Sequence, residues 1–174
     1  MFALATVMAL IHQVSGTPYV PGGDSPAGTD CSGLASWVSN VSTGRPAFGS
    51  RFDTGNEEAA LLSRGFQYGV APDALVIGWN GRHTAVTLPD GTPVSSGEGG
   101  GGVRIGGLGA YQPQFTHHMY LPVTLDELEG DPNVELVDIG PNVELVDARP
   151  EPAPDAAPPP PGEVRPGDPI DMPL

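Results

Sequence analysis

Apolar residues at Ala3, Val7, Leu10, Ile11 and Val14 recur at intervals of three and four, a spacing that predicts an amphipathic first helix. The run FALATVMALI at 2–11 is apolar enough to suggest a signal peptide. However, no basic residue precedes it and no clean small-x-small site follows, so the folded-helix reading is preferred and no export signal is visible. Ser15-Gly16-Thr17-Pro18 ends that helix, and a Gly- and Pro-rich loop runs from Tyr19 to Gly28. Asp30 then stands where a helix cap belongs, ahead of Cys31-Ser32-Gly33-Leu34-Ala35-Ser36-Trp37-Val38. A short capped helix with acids in its first turn is expected within 54–62. From there the period shortens. Ala74–Trp79, His83–Leu88 and Thr92–Ser96 read as three strands, separated by turns at Asn80-Gly81-Arg82 and Pro89-Asp90-Gly91. The glycine-rich stretch 97–109 lacks phosphate-loop spacing and reads as a flexible rim loop. Residues 111–123 offer a last strand, in which the adjacent His117 and His118 would point to opposite faces and so are not expected to share a metal.

Composition divides the chain near residue 124. Residues 1–124 hold eight acids and five arginines, while residues 125–174 hold thirteen acids and two arginines, so most of the net charge of −14 lies in the tail. Twelve of the 21 prolines lie there too, and PNVELVD occurs twice with a nine-residue period. Such a segment is expected to stay extended, because it buries too little apolar surface to offset the entropy of ordering. The expected organisation is a folded domain at 1–124 followed by an acidic, Pro-rich, disordered tail at 125–174. A chain with no lysine and so few arginines has no basic surface for nucleic acid. No apolar run reaches the length of a membrane span.

The candidate chemistry centres on Cys31, the single cysteine. In the first turn of a helix its sulfur meets the positive end of the dipole, which favours the nucleophilic thiolate. A thiolate needs a proton acceptor or a cation beside it, and histidine is the usual partner. His83 follows Cys31 by 52 residues and opens a strand, whereas His12 lies upstream on another element. Tyr19 is either an ordinary half-buried aromatic or a hydroxyl beside the sulfur that helps hold an oxyanion.

The pieces GTPYVPGG, TDCSGLASWV and GRHTAVTLPDG together resemble the NlpC-type cysteine peptidases, papain-like enzymes that cut peptidoglycan stem peptides. The resemblance covers about residues 5–121. It implies an α+β fold, with N-terminal helices that carry the nucleophile at a helix N-terminus packed on a small antiparallel sheet. It also implies Cys31 as nucleophile, His83 as general base and acid, Tyr19 beside the oxyanion, and Asp30 and Ser32 facing the substrate. The implied reaction hydrolyses a stem-peptide amide, commonly that joining D-glutamate to a diamino acid, in a monomer without cofactor or metal. Pro21 stands where the family usually has Trp. The family's third catalytic residue falls about twelve positions after the histidine, which here is Ser95. A two-residue turn at Asp90-Gly91 would instead set position 83 opposite 98 and bring Glu98 to the imidazole. The alternatives are a non-catalytic wall-binding module on the same fold, or a phage-type lysin or amidase. The site of action implied is the bacterial cell wall.

Overall fold

The computed structural model describes residues 4–122; the expected tail, with its repeat and the boundary near 124, lies outside the described residues. The first helix, α1 (Leu4–Val14), buries Val7, Leu10, Ile11 and Val14, four of the residues picked out by spacing. A two-residue ribbon, β1 (Asp24–Ser25) with β2 (Gly28–Thr29), leads into α2 (Cys31–Ser42). Every residue of α2 is buried. A helix buried all round must satisfy its polar side chains internally. The hydroxyls of Ser36 and Ser42 do so by donating to the carbonyls of Ser32 and Val38, each at 2.7 Å, while Asn40 donates to the Ala47 carbonyl at 3.0 Å. α2 is thus the central helix. Its Leu34, Trp37, Val38 and Val41 form one core with α1 and the sheet. Each such fully buried apolar side chain stabilises the fold by about 1.5–3 kcal/mol.

The short helix expected at 54–62 is α3 (Glu57–Ser63). It starts late because Asp53 Oδ1 accepts the backbone N–H groups of Gly55 and Asn56 at 2.8 and 3.1 Å, holding those residues in a turn. Six strands follow: β3 (Gln67–Tyr68), β4 (Leu75–Trp79), β5 (Thr84–Thr87), β6 (Pro93–Ser96), β7 (Val103–Ile105) and β8 (His117–Leu121). They form one antiparallel sheet in the order β3-β8-β4-β5-β6-β7. The architecture is therefore α+β, with N-terminal helices on a small antiparallel sheet. All residues of β4 and β5 are buried, which fits the continuous apolar run of β4.

Two details differ from the pattern-based reading. The glycine-rich stretch 97–109 is not simply a rim loop, since it contains β7 and the start of a 3₁₀ turn at Gly109–Tyr111. Val103 is tied back to the end of α1, accepting from Gly16 N–H at 2.8 Å and donating to Thr17 at 2.9 Å. The β5–β6 connection has three residues, Pro89-Asp90-Gly91, inside a Leu88 N–H to Thr92 carbonyl bond of 2.9 Å; Gly91 has φ 85°. The register pairs Val86 with Val94, which, continued along the strands, sets position 83 opposite 97 rather than 98.

Candidate active site

Local sequence builds the nucleophile's side of the site. Asp30 caps α2 with Oδ1, which accepts from Gly33 N–H at 2.8 Å, and its Oδ2 accepts from Gly22 N–H at 2.6 Å. Gly33 is required by crowding, because a Cβ there would lie 2.2 Å from Thr29 Oγ1. Arg51, from the segment before α3, donates through Nη2 to Asp30 Oδ1 at 2.7 Å and to Ser32 Oγ at 3.0 Å. Ser32 in turn donates to Asp30 Oδ1 at 3.1 Å. Asp30 and Ser32 are thus bound into an arginine-centred clamp. Sequence reasoning missed Arg51, which lies nineteen or more residues from its partners.

The histidine's side is built from distant segments. Asn80 Oδ1 accepts the N–H groups of Arg82 and His83 at 2.8 and 3.0 Å, fixing the turn that delivers His83 just ahead of β5. The imidazole packs on Phe115 with ring centroids 5.7 Å apart. Its Nε2 lies 3.7 Å from Glu98 Oε1, too long for a hydrogen bond, and is buried with no hydrogen-bond partner among the described residues. Glu98 Oε1 also accepts from Gln112 Nε2. Glu98 reaches the imidazole although 97, not 98, falls opposite in register. Gly97 turns the chain at φ 93°, and Glu98 opens a 3₁₀ turn. The same glycine seats Tyr19, since a Cβ at 97 would lie 2.6 Å from that ring. Ser95 is fully buried on β6, and its hydroxyl has no hydrogen-bond partner.

These two sides meet at the sulfur. The backbone N–H of Thr84, the residue after His83, lies near enough to the Cys31 sulfur to favour its ionised form, as does that of Ser32. Tyr19 lies close enough to Cys31 and Asp30 for their negative charges to act on its hydroxyl. The three other histidines do other work. His12 is exposed at the end of α1. His117 stacks on Trp79 at 5.2 Å, and His118 Nε2 bonds the Ala110 carbonyl at 2.9 Å.

No family model matches the chain. Protein P54 of Enterococcus faecium is 33% identical to it over 117 residues, which is 66% of this chain and 22% of that protein. The chain therefore spans about a fifth of that relative. Among solved structures, the NlpC/p60 domain of the peptidoglycan hydrolase SagA is 26% identical, with 69% of this chain and 99% of that one covered and a TM-score of 0.48.

Electrostatics in this site differ from the simple helix-dipole expectation. Burial pushes the Cys31 thiol up and the charges of Asp30 and Glu57 push it the same way; the Thr84 and Ser32 N–H groups oppose them only in part. The sulfur, 6% exposed, therefore favours the thiol over the thiolate that helix position alone implies. Burial also raises the Tyr19 hydroxyl, with help from Cys31 and Asp30. Burial acts against ionised Asp30 too, but is outweighed by the N–H groups of Gly22 and Gly33, the Arg51 guanidinium and the Ser32 hydroxyl, so this carboxyl lies below its ordinary value.

Proposed function

We propose that this domain is a peptidoglycan hydrolase of the cysteine-peptidase type, cutting an amide bond in cell-wall stem peptides of the D-glutamyl–diamino acid kind. One observation carries the reading: β5, which His83 precedes, packs against α2, which Cys31 opens, and the main-chain N–H next to His83 favours the ionised sulfur. The motif resemblance and the likeness to Protein P54 support it. The name of the SagA domain supplies the substrate class.

In this mechanism His83 takes the Cys31 proton as the sulfur attacks the scissile carbonyl. Because the thiol is held up by burial, proton transfer accompanies attack instead of preceding it. The Tyr19 hydroxyl stands beside the sulfur to donate to the developing oxyanion. The imidazolium then protonates the departing amine, leaving a thioester on Cys31. Water, deprotonated by His83, attacks that thioester, releasing the new carboxylate and restoring the thiol. Glu98, held by Gln112, faces Nε2 and stabilises the imidazolium, leaving Nδ1 for the sulfur. Between the two candidates for third residue, the 3.7 Å approach favours Glu98 over Ser95. The catalytic domain is assigned to residues 1–124 and the tail to 125–174 on composition.

The test is digestion of purified peptidoglycan by wild type and by Cys31→Ala, with released fragments weighed by mass spectrometry. Wild type should release stem-peptide fragments and the variant none. Fragments split between sugar and stem would establish an amidase, and binding without release would establish a wall-binding module. Either outcome displaces the endopeptidase reading.

A further inference from the structure

The carboxyl group of Glu57 has no place in the mechanism above. It opens α3 yet is fully buried, and its Oε2 has no hydrogen-bond partner among the described residues. Its Oε1 lies 2.8 Å from Thr84 Oγ1, which is itself 3.2 Å from the carbonyl oxygen of Gly78 on β4. A threonine hydroxyl has one proton and cannot serve both acceptors fully. If Glu57 carries a proton, the chain closes: the acid donates to Thr84, and Thr84 donates to Gly78. An ionised carboxylate here would leave an acceptor short and a charge buried without a cation. Thr84 faces both ways: its side chain bonds this acid, and its main-chain N–H is near enough to the Cys31 sulfur to favour the thiolate.

We propose that Glu57 is a positioning residue that works as a neutral acid, fastening Thr84 so that its N–H holds the Cys31 sulfur, and that losing its proton weakens the nucleophile. The proposal rests on the catalytic reading above. Other chemistry agrees with it. Burial, reinforced by the charge of Asp53, raises this carboxyl to about 8 despite the Thr84 hydrogen bond, so it is protonated at neutral pH. The titratable groups bearing on it are Asp53, from the turn before α3, and Cys31, from α2, whose thiol the Glu57 charge pushes up. The strands contribute the uncharged Thr84 and the Gly78 carbonyl. Above about pH 8, then, a carboxylate appears near the sulfur and opposes formation of the thiolate.

Two measurements on the full chain test this without substrate. Carbon-13 NMR of labelled glutamate carboxyls, with Glu57 assigned by its absence in Glu57→Gln, should show one carboxyl titrating near 8. Alkylation of Cys31 by iodoacetamide across pH should give a midpoint lower in Glu57→Gln by roughly half a unit or more, because the amide keeps the bond to Thr84 but cannot ionise. Thr84→Val should break the link and slow alkylation severalfold even where Glu57 is protonated. A Glu57 carboxyl titrating in the ordinary range would overturn the proposal in the wild type alone, whatever the variants do. So would superimposable alkylation profiles for wild type and folded Glu57→Gln. If the coupling holds while peptidoglycan stays intact, the hydrolase reading fails alone. If cleavage occurs without the coupling, this proposal fails alone.

Discussion

Asp30 and Glu57 are two acids that act on the same sulfur from opposite protonation states. Burial works against the charge on both. Asp30 meets two backbone N–H groups, a serine hydroxyl and the Arg51 guanidinium, and its carboxyl is pulled below the ordinary value. Glu57 meets one threonine hydroxyl, has no cation beside it among the described residues, and rises to about 8. What separates them is the number of donors each finds, not depth alone. The ionised acid shapes the backbone around the sulfur from the helix side, and the neutral one steadies it from the sheet side.

The harshest way to break the contrast is Asp30→Ala. It removes the α2 cap and leaves Arg51 without its carboxylate partner, so thermal or urea unfolding should show a loss of about 2–4 kcal/mol, with turnover lost as well. Next comes Glu98→Ala, which takes the carboxylate away from His83 Nε2. Steady-state kinetics should show kcat down about 10- to 1,000-fold with unfolding midpoint little changed. Ser95→Ala, which removes a hydroxyl with no hydrogen bond, should change kcat far less than Glu98→Ala.

The pH dependence of stability sharpens the comparison because the two acids have opposite signs. Asp30, lowered on folding, contributes stability above the ordinary carboxylate range, lost as pH falls through its own depressed value. Glu57, raised, contributes stability fully present below about 4.5 and lost progressively as pH rises through about 8. Denaturant titrations should therefore show wild type losing stability between about pH 4.5 and 8 relative to Glu57→Gln, by an order of a few kcal/mol. The smallest expected effect is Arg51→Lys. It keeps the charge but loses the planar reach to Asp30 and Ser32, and should cost about 1 kcal/mol.

Much of this was legible where cause and effect lie close in sequence. The Asp30 cap, the buried stripe of α1 and the β4–β5–β6 meander each follow from spacing and turn residues a few positions apart. What was not legible depends on segments meeting in space. Arg51 reaches Asp30 across 21 residues and Thr84 reaches Glu57 across 27, and nothing in either local pattern announces the partner. Glu57 looked like an ordinary first-turn acid suited to the helix dipole, yet packing, not the dipole, sets its state. The Glu98 approach was reached by the wrong register, since the turn has three residues and Gly97 supplies the missing reach. The same holds for the sulfur: its helix position is visible in sequence, while its burial is not.

The most direct test of the central claim is to acid-quench the protein with a synthetic stem peptide and map the covalent adduct by mass spectrometry. The account predicts an acyl group of the substrate's N-terminal portion on the fragment bearing Cys31, absent in Cys31→Ala. Cleavage that proceeds with no adduct on that fragment, and persists in Cys31→Ala, would contradict it.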